Sequence, residues 1–400
     1  MVIPVRERYE KLELDRFGTV GHLTHEQEII LKQFWLKVLA IIRKNETIKR
    51  ISTDSEGFGK EDEKAKYSTK EPEYTKLVCD VCPKDSLPPD YTSGKDPTFY
   101  DSFCQALVND HPDTFLLKLL RARKWDIQNA ETMIHNLLEW RGRNSISELI
   151  WHGESDLNLR YLKKGVGMSA GKDRLGHPVM YIKVKDLSPS DQSIKESLKN
   201  TVYLIEVARL FFQTPIEKVS LVFDIKDMSL KNIDWYFFKI FLKYLADYYP
   251  ESLALVIIYS SSWVFKSVWN IIKGLLDPVV ASKVIFPKNA QELYTYIDKE
   301  QLLVDYEGTN SYKFNYILPE PNENKLMFQT EEREKAVLEY KTKMDEFLKV
   351  TEKWCHLKND DKDNVTLERK DILDKVMISG KQVDSYTRAR TFYHRLGILK

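Results

Sequence analysis

The stretch Val219-Ser-Leu-Val-Phe-Asp-Ile225, the helical run 231–248 after it, and Leu253-Ala-Leu-Val-Ile-Ile-Tyr259 decide the fold of this chain. Short, nearly continuous apolar runs read as strands buried on both faces. A helical segment between two of them is the crossover that a parallel pair requires. The same alternation continues outward. Residues 178–184 and 284–286 read as further buried strands, and 113–124, 128–142, 193–212 and 263–276 as helices. The fold class is therefore α/β, with a mostly parallel sheet flanked by helices.

Beyond this centre the pattern changes. Residues 24–44 predict one amphipathic helix. Thr24 and Gln27 form a capping box there, followed by Ile29, Ile30, Phe34, Leu36, Val38, Leu39 and Ile42. Residues 46–98, rich in Lys, Glu, Asp, Ser and Pro, read as a polar linker. A charged helix is expected over 330–357, with Val337, Tyr340, Met344, Phe347 and Trp354 on one seam. A shorter helix near 366–379 and a tail carrying Arg388, Arg390 and Arg395 follow. The expected divisions are an N-terminal segment (1–45), the linker (46–98), a helical subdomain (99–150), the α/β domain (151–316) and a C-terminal helical extension (317–400).

Composition narrows the function. A net charge of +1 over 400 residues argues against a general nucleic-acid binder, which needs excess Lys and Arg. No apolar stretch reaches the length of a bilayer span. Charged residues from Arg6 to Lys11, with no apolar core behind them, do not form a secretory signal. Four cysteines do not make a disulfide framework in a chain this long, which fits a reducing compartment.

Catalytic and metal motifs are missing. Ser260, Ser261 and Ser262 lack the glycine frame of a nucleophile elbow. The run Gly165–Asp173 imitates a phosphate loop, but its spacing is one residue short and Asp173 stands where Ser or Thr would bind Mg²⁺. Residues 172–176 read instead as a turn into the strand at 178. Cys79 and Cys82 supply half a zinc set, and a structural site needs four ligands. No catalytic residue and no metal ligand are assigned.

Two helical segments carry stronger signals. On a wheel for 113–124, Arg123 projects from the middle of the apolar arc made by Phe115, Leu116, Leu117, Leu119, Leu120 and Ala122, with Lys124 at its edge. A guanidinium there needs an anion, an internal carboxylate or a route to water. In 263–276, Val264, Phe265, Val268, Trp269, Ile271, Ile272, Leu275 and Leu276 cover nearly half the circumference. That arc suits a helix packed on the sheet, and equally a movable lid over a lipid cavity or a bilayer.

Six strings, in order and at matching spacing, show what these signals have in common. They are Arg121-Ala-Arg-Lys-Trp125, Glu139-Trp-Arg141, Asp173-Arg-Leu-Gly-His-Pro-Val-Met-Tyr181, Asp224-Ile-Lys-Asp227, Tyr248-Tyr-Pro-Glu251 and Leu276-Asp-Pro278. The set resembles the CRAL-TRIO lipid-transfer family over roughly 111–308, and within it the fungal phosphatidylinositol-transfer group with a C-terminal helical extension. The resemblance implies a lipid cavity behind a gate helix, here with Val264, Phe265, Val268, Trp269 and Ile272. It implies a head-group site at Arg123, Lys124, Glu251 and Lys283, with Val280 replacing the family's Thr. Val219 and Leu221 stand where the family's exchangers carry the Ser and Thr that bind a choline phosphate. On a strand, Ser220 points to the opposite face.

The implied protein is not an enzyme and needs no cofactor beyond bound phosphatidylinositol. It is cytoplasmic and transiently peripheral on an endosomal or endoplasmic-reticulum membrane. It transfers little phosphatidylcholine, and its extension could meet a protein partner. The alternative is a non-transfer module for another hydrophobic ligand, such as a sterol precursor.

Overall fold

A computed structural model describes residues 16–48, 97–107, 109–189, 191–229, 234–259, 263–357 and 362–400, with 263–268 and 362–363 as backbone only. The described residues fall into two units. One comprises those of Met1–Gly57, Cys79–Gly153 and Pro319–Arg390. The other comprises those of Phe58–Val78, Glu154–Leu318 and Thr391–Lys400. The expected linker, and the half zinc set at Cys79 and Cys82, lie almost wholly or wholly outside the described residues.

The second unit holds a five-stranded sheet in the order β1 (Gly167–Lys172), β2 (Pro178–Lys183), β3 (Val219–Asp224), β4 (Leu253–Tyr259) and β5 (Val284–Ile285). β2 to β5 are parallel neighbours, as the apolar runs require, and Met180 pairs with Leu221 and Leu221 with Val256. β1 runs antiparallel to β2 and is a strand that apolar patterning does not predict. Its glycines and serine lack strand character. They serve close approach instead, because a Cβ on Gly171, which sits at φ +70°, would meet the Gln301 carbonyl oxygen at 2.3 Å. The turn to β2 is fastened by Asp173, whose Oδ1 accepts from the Leu175 and His177 amides at 2.9 Å each.

Helices Ile194–Arg209, Trp235–Asp247 and Trp263–Leu275 follow β2, β3 and β4. Ser193 and Glu196 close a capping box on the first, and Asp234 accepts from the Tyr236 and Phe237 amides at the start of the second.

The first unit is helical. His25–Lys44 starts at the expected Thr24–Gln27 capping box, and it buries Leu31, Phe34, Trp35, Val38, Leu39 and Ile41 while leaving Ile29 exposed. Phe99–Leu107, Pro112–Ala122, Ile127–Arg143 and Ile146–His152 pack with it, together with Thr330–His356 and Lys362–Thr387. The last of these is far longer than expected over 366–379. Its apolar residues are sparse, so periodicity alone under-reads a helix whose polar positions meet polar partners.

The wheel over 113–124 is corrected at Arg123. The helix ends at Ala122, Arg123 is its cap, and Lys124 and Trp125 take left-handed backbone at φ +52° and +66°. The Lys124 and Trp125 amides close onto the Arg121 and Leu120 carbonyls at 3.1 and 2.7 Å, and Asp126 caps the next helix. Arg123 therefore sits on a tight corner, half-buried, with Lys124 exposed beside it. Lys118 is 7% exposed, because Pro112–Ala122 is buried nearly all round.

Candidate functional site

Alternation along the strands builds the site. Met180 and Ile182 on β2, Val219, Leu221 and Phe223 on β3, and Val256 and Ile258 on β4 face one side and line a cavity of about 250 Å³. Phe237, Phe238 and Phe241 close it from helix Trp235–Asp247, and Leu204, Ile205 and Ala208 from helix Ile194–Arg209. Residues one position off turn away. Ser220 is fully buried on the other face, where its hydroxyl donates to Asp173 Oδ2 at 2.7 Å, and the His177 ring nitrogen meets the same oxygen at 2.9 Å. Here the carboxylate lies between serine and histidine. A nucleophilic triad needs the histidine in the middle, so this cluster is a turn fastening.

The helix Trp263–Leu275 carries two stripes where the wheel showed one arc. Trp269, Ile272 and Leu276 line the cavity, joined by Val280 from helix Pro278–Ser282. Trp269 packs edge-on against Phe286 at 5.0 Å. Ile271 and Leu275, spaced by four, point outward and are 57% and 40% exposed, and Val279 on helix Pro278–Ser282 is 54% exposed. Trp269 thus faces inward, apart from Ile271 and Leu275, with which the wheel set it in a single arc. The side chains of Val264, Phe265 and Val268 lie outside what is described.

Polar groups gather at the wall where β4 begins. Glu251, at φ +51°, precedes the lining residues Ser252 and Leu253, and Lys283 stands between the lining residues Val280 and Val284. Lys283 Nζ lies 3.8 Å from a Glu251 carboxylate oxygen and donates to the Leu253 carbonyl at 2.9 Å. Both side chains keep partial exposure, at 12% and 21%, so the pair can exchange partners without crossing a dry interior. Of the sequence-selected residues, the structure brings Glu251, Lys283 and Val280 together at this wall, with Val219 and Leu221 inside the cavity. Arg123 and Lys124 belong to the helical unit.

Sequence reasoning missed the buried polar network beside the cavity. Arg209, which lines it, pairs with Glu206 at 2.9 Å, and Glu206 accepts from the Tyr249 hydroxyl at 2.7 Å. Helical spacing of Glu206 and Arg209 was the available signal. It also missed Glu154, described below. Among the described residues, no group of three or more His, Cys, Asp and Glu is placed to hold a metal ion. No described helix is long and apolar enough to cross a membrane.

A sheet face and three helices enclosing apolar space, with charged residues at one edge, define a receptor for a large apolar ligand with a polar end. Comparison with known proteins agrees. The CRAL/TRIO domain matches residues 162–308 and the CRAL/TRIO N-terminal domain residues 64–136. A CRAL-TRIO domain-containing protein of Schizosaccharomyces pombe is 33% identical over 302 residues, covering 74% of this chain and 68% of that protein. A phosphatidylinositol transfer protein of Eremothecium gossypii is 27% identical over 428 residues, covering 96% and 98%. This chain belongs to the CRAL-TRIO family of lipid-binding and transfer proteins, and it carries a helical extension C-terminal to the domain.

Proposed function

We propose that this protein takes phosphatidylinositol into the cavity and exchanges or presents it at a membrane surface, acting from the cytoplasm as a peripheral, transient visitor. The apolar cavity with the Lys283–Glu251 pair at its wall carries the reading. Exposing about 30 lipid methylenes to water costs on the order of 20 kcal/mol, so unassisted transfer is slow. The strand residues and lid helix would replace the bilayer around the chains. Lys283 would supply positive charge to the phosphate, and Glu251 would accept from inositol hydroxyls. Arg123 and Lys124 enter this reading through the family motif they match. No covalent step is needed, so the role assigned is that of a carrier and not of an enzyme. The near full-length similarity to a protein named for phosphatidylinositol transfer supports the ligand.

Replacing Lys283 by Ala is expected to lower phosphatidylinositol transfer between vesicles by about 10- to 100-fold, the loss of one charge-assisted hydrogen bond. Arg123→Ala is expected to act in the same direction. A folded Lys283→Ala protein with normal transfer would falsify the head-group assignment.

Selectivity follows from β3. Val219 and Leu221 offer no donor to a choline phosphate, and Ser220 is committed to Asp173 on the far face. Phosphatidylcholine transfer is therefore expected to be at least about tenfold slower than phosphatidylinositol transfer. The apolar character of Val219, Leu221 and Val280 also favours a second reading, a less polar hydrophobic ligand. Mass spectrometry of lipid co-purified from native cells decides between them.

A further inference from the structure

The C-terminal residues Thr391–Lys400 fold with the sheet unit. They are anchored by Glu154, which is 4% exposed and accepts from the Phe392 amide at 2.6 Å, from the Tyr316 and Tyr203 hydroxyls at 2.6 and 3.3 Å, and from the Arg395 guanidinium. The Tyr393 hydroxyl meets the β1 backbone, where the Ser169 amide donates to it at 2.7 Å. So held, Phe392 and Tyr393 wall a second, smaller chamber of about 40 Å³, together with Phe314 and Val207. Its remaining walls include Tyr161, Val166, Gly167 and Leu204, and all four also line the main cavity.

The partition between the two spaces is thin. A Cβ placed on Gly167 would lie 2.9 Å from Leu204 Cδ1, so one leucine side chain rests against bare backbone there. Leucine is rotatable, and no backbone movement is needed for it to swing aside. Glu154 is engaged by four donors, the Tyr203 and Tyr316 hydroxyls among them, and Tyr393 by the sheet, so most of what a guest would meet is hydrocarbon and ring. Asn200 Oδ1, buried and without a protein partner, is the polar exception.

We propose that this chamber is the far end of the lipid cavity, entered past Leu204 and Gly167, and that the C-terminal residues Phe392 and Tyr393 set the length of the hydrocarbon chain the protein accepts. The proposal rests on the reading of the main cavity as a lipid site. It adds a specificity determinant contributed by residues C-terminal to the CRAL/TRIO match at 162–308.

The test uses the full chain and two phosphatidylinositols that differ only in acyl length, competed in vesicles, with a phosphatidylcholine pair of the same two lengths alongside. The measured quantity is the long-to-short ratio of bound lipid. Phe392→Ala and Leu204→Ala deepen the cavity and are expected to raise that ratio. Leu204→Phe blocks the entrance and is expected to lower it. Each methylene admitted or excluded is worth roughly fourfold. Opposite shifts from Ala and Phe at position 204 cannot come from loss of stability, and thermal unfolding of each variant checks that it is folded. If inositol lipid fails to bind while choline lipid binds, the head-group reading falls, and the ratio is still read with the choline pair. An unchanged ratio in all three folded variants overturns the proposal, as would be found if the chamber holds only water on Asn200.

Discussion

Arg369→Ala is expected to cost about 3–5 kcal/mol of unfolding free energy. Arg369 grips Asp113 with two hydrogen bonds, of 2.8 and 2.6 Å, and donates through Nε to Thr351 at 2.9 Å. Its guanidinium lies 4.6 Å from the Phe347 ring and 4.5 Å from the Trp354 ring, while Trp35 Nε1 donates to Asp113 at 2.7 Å. One buried pair therefore joins helices Pro112–Ala122, His25–Lys44, Thr330–His356 and Lys362–Thr387. Removing the cation strands a carboxylate out of water.

Burial works against the Asp113 charge, but the charge and hydrogen bonds of Arg369, then His111 and the Trp35 N–H, outweigh it and hold the carboxyl at about 2 instead of 3.8. A carboxyl depressed in the folded state stabilises above its unfolded pKa, and that stability is lost as pH falls through the folded value. Roughly 2 kcal/mol is thus expected to disappear between about pH 4 and pH 2, and Asp113→Asn should abolish that part of the acid limb. Denaturant unfolding at several pH values measures both effects. Arg43→Ala, which breaks the exposed pair with Glu352, is the control and should change stability by no more than about 1 kcal/mol. Equal losses from Arg43 and Arg369 variants would show that the buried pair has no special weight.

The second large effect concerns the lid, where the two stripes give two different outcomes. Ile271→Asp with Leu275→Asp changes only the outward stripe. If that stripe meets the bilayer, the pair should lose about 2–4 kcal/mol of membrane affinity, with thermal unfolding nearly unchanged. Ile272→Asp places a charge against the cavity and the core beneath it. It should lower stability by about 3 kcal/mol while leaving the outward stripe intact. Vesicle-binding isotherms and thermal unfolding of the two proteins, read together, separate the cases. An Ile271/Leu275 variant that still binds vesicles and transfers lipid would remove the membrane role from this face.

Some of this was legible before any coordinates. The apolar runs of β2, β3 and β4 are strong because a strand buried on both faces leaves little room for polar residues. β4 keeps its expected bounds, Leu253–Tyr259, whereas β5, expected as a buried strand, is two residues long and only half-buried. The capping box at Thr24 is local chemistry and appears as read. The order of the motifs gave the family. The same logic placed Ser220 away from Val219 and Leu221, since strand periodicity has only two faces.

Tertiary structure decided the rest. β1 is a strand because Gly167, Met168 and Ser169 pair with Ile182, Tyr181 and Met180 of β2, a pairing that no propensity encodes. Arg123 left its wheel because two left-handed residues end the helix, and a wheel assumes that the turn continues. The single arc of the lid split into stripes because only a neighbouring sheet can distinguish Ile272 from Ile271. Asp113 and Arg369 stand 256 residues apart, and Phe392 lies 238 residues from Glu154. Local pattern records which residues can be buried. Only the folded chain determines which of them meet, because a charge or a cavity wall is completed by partners that the sequence places far away.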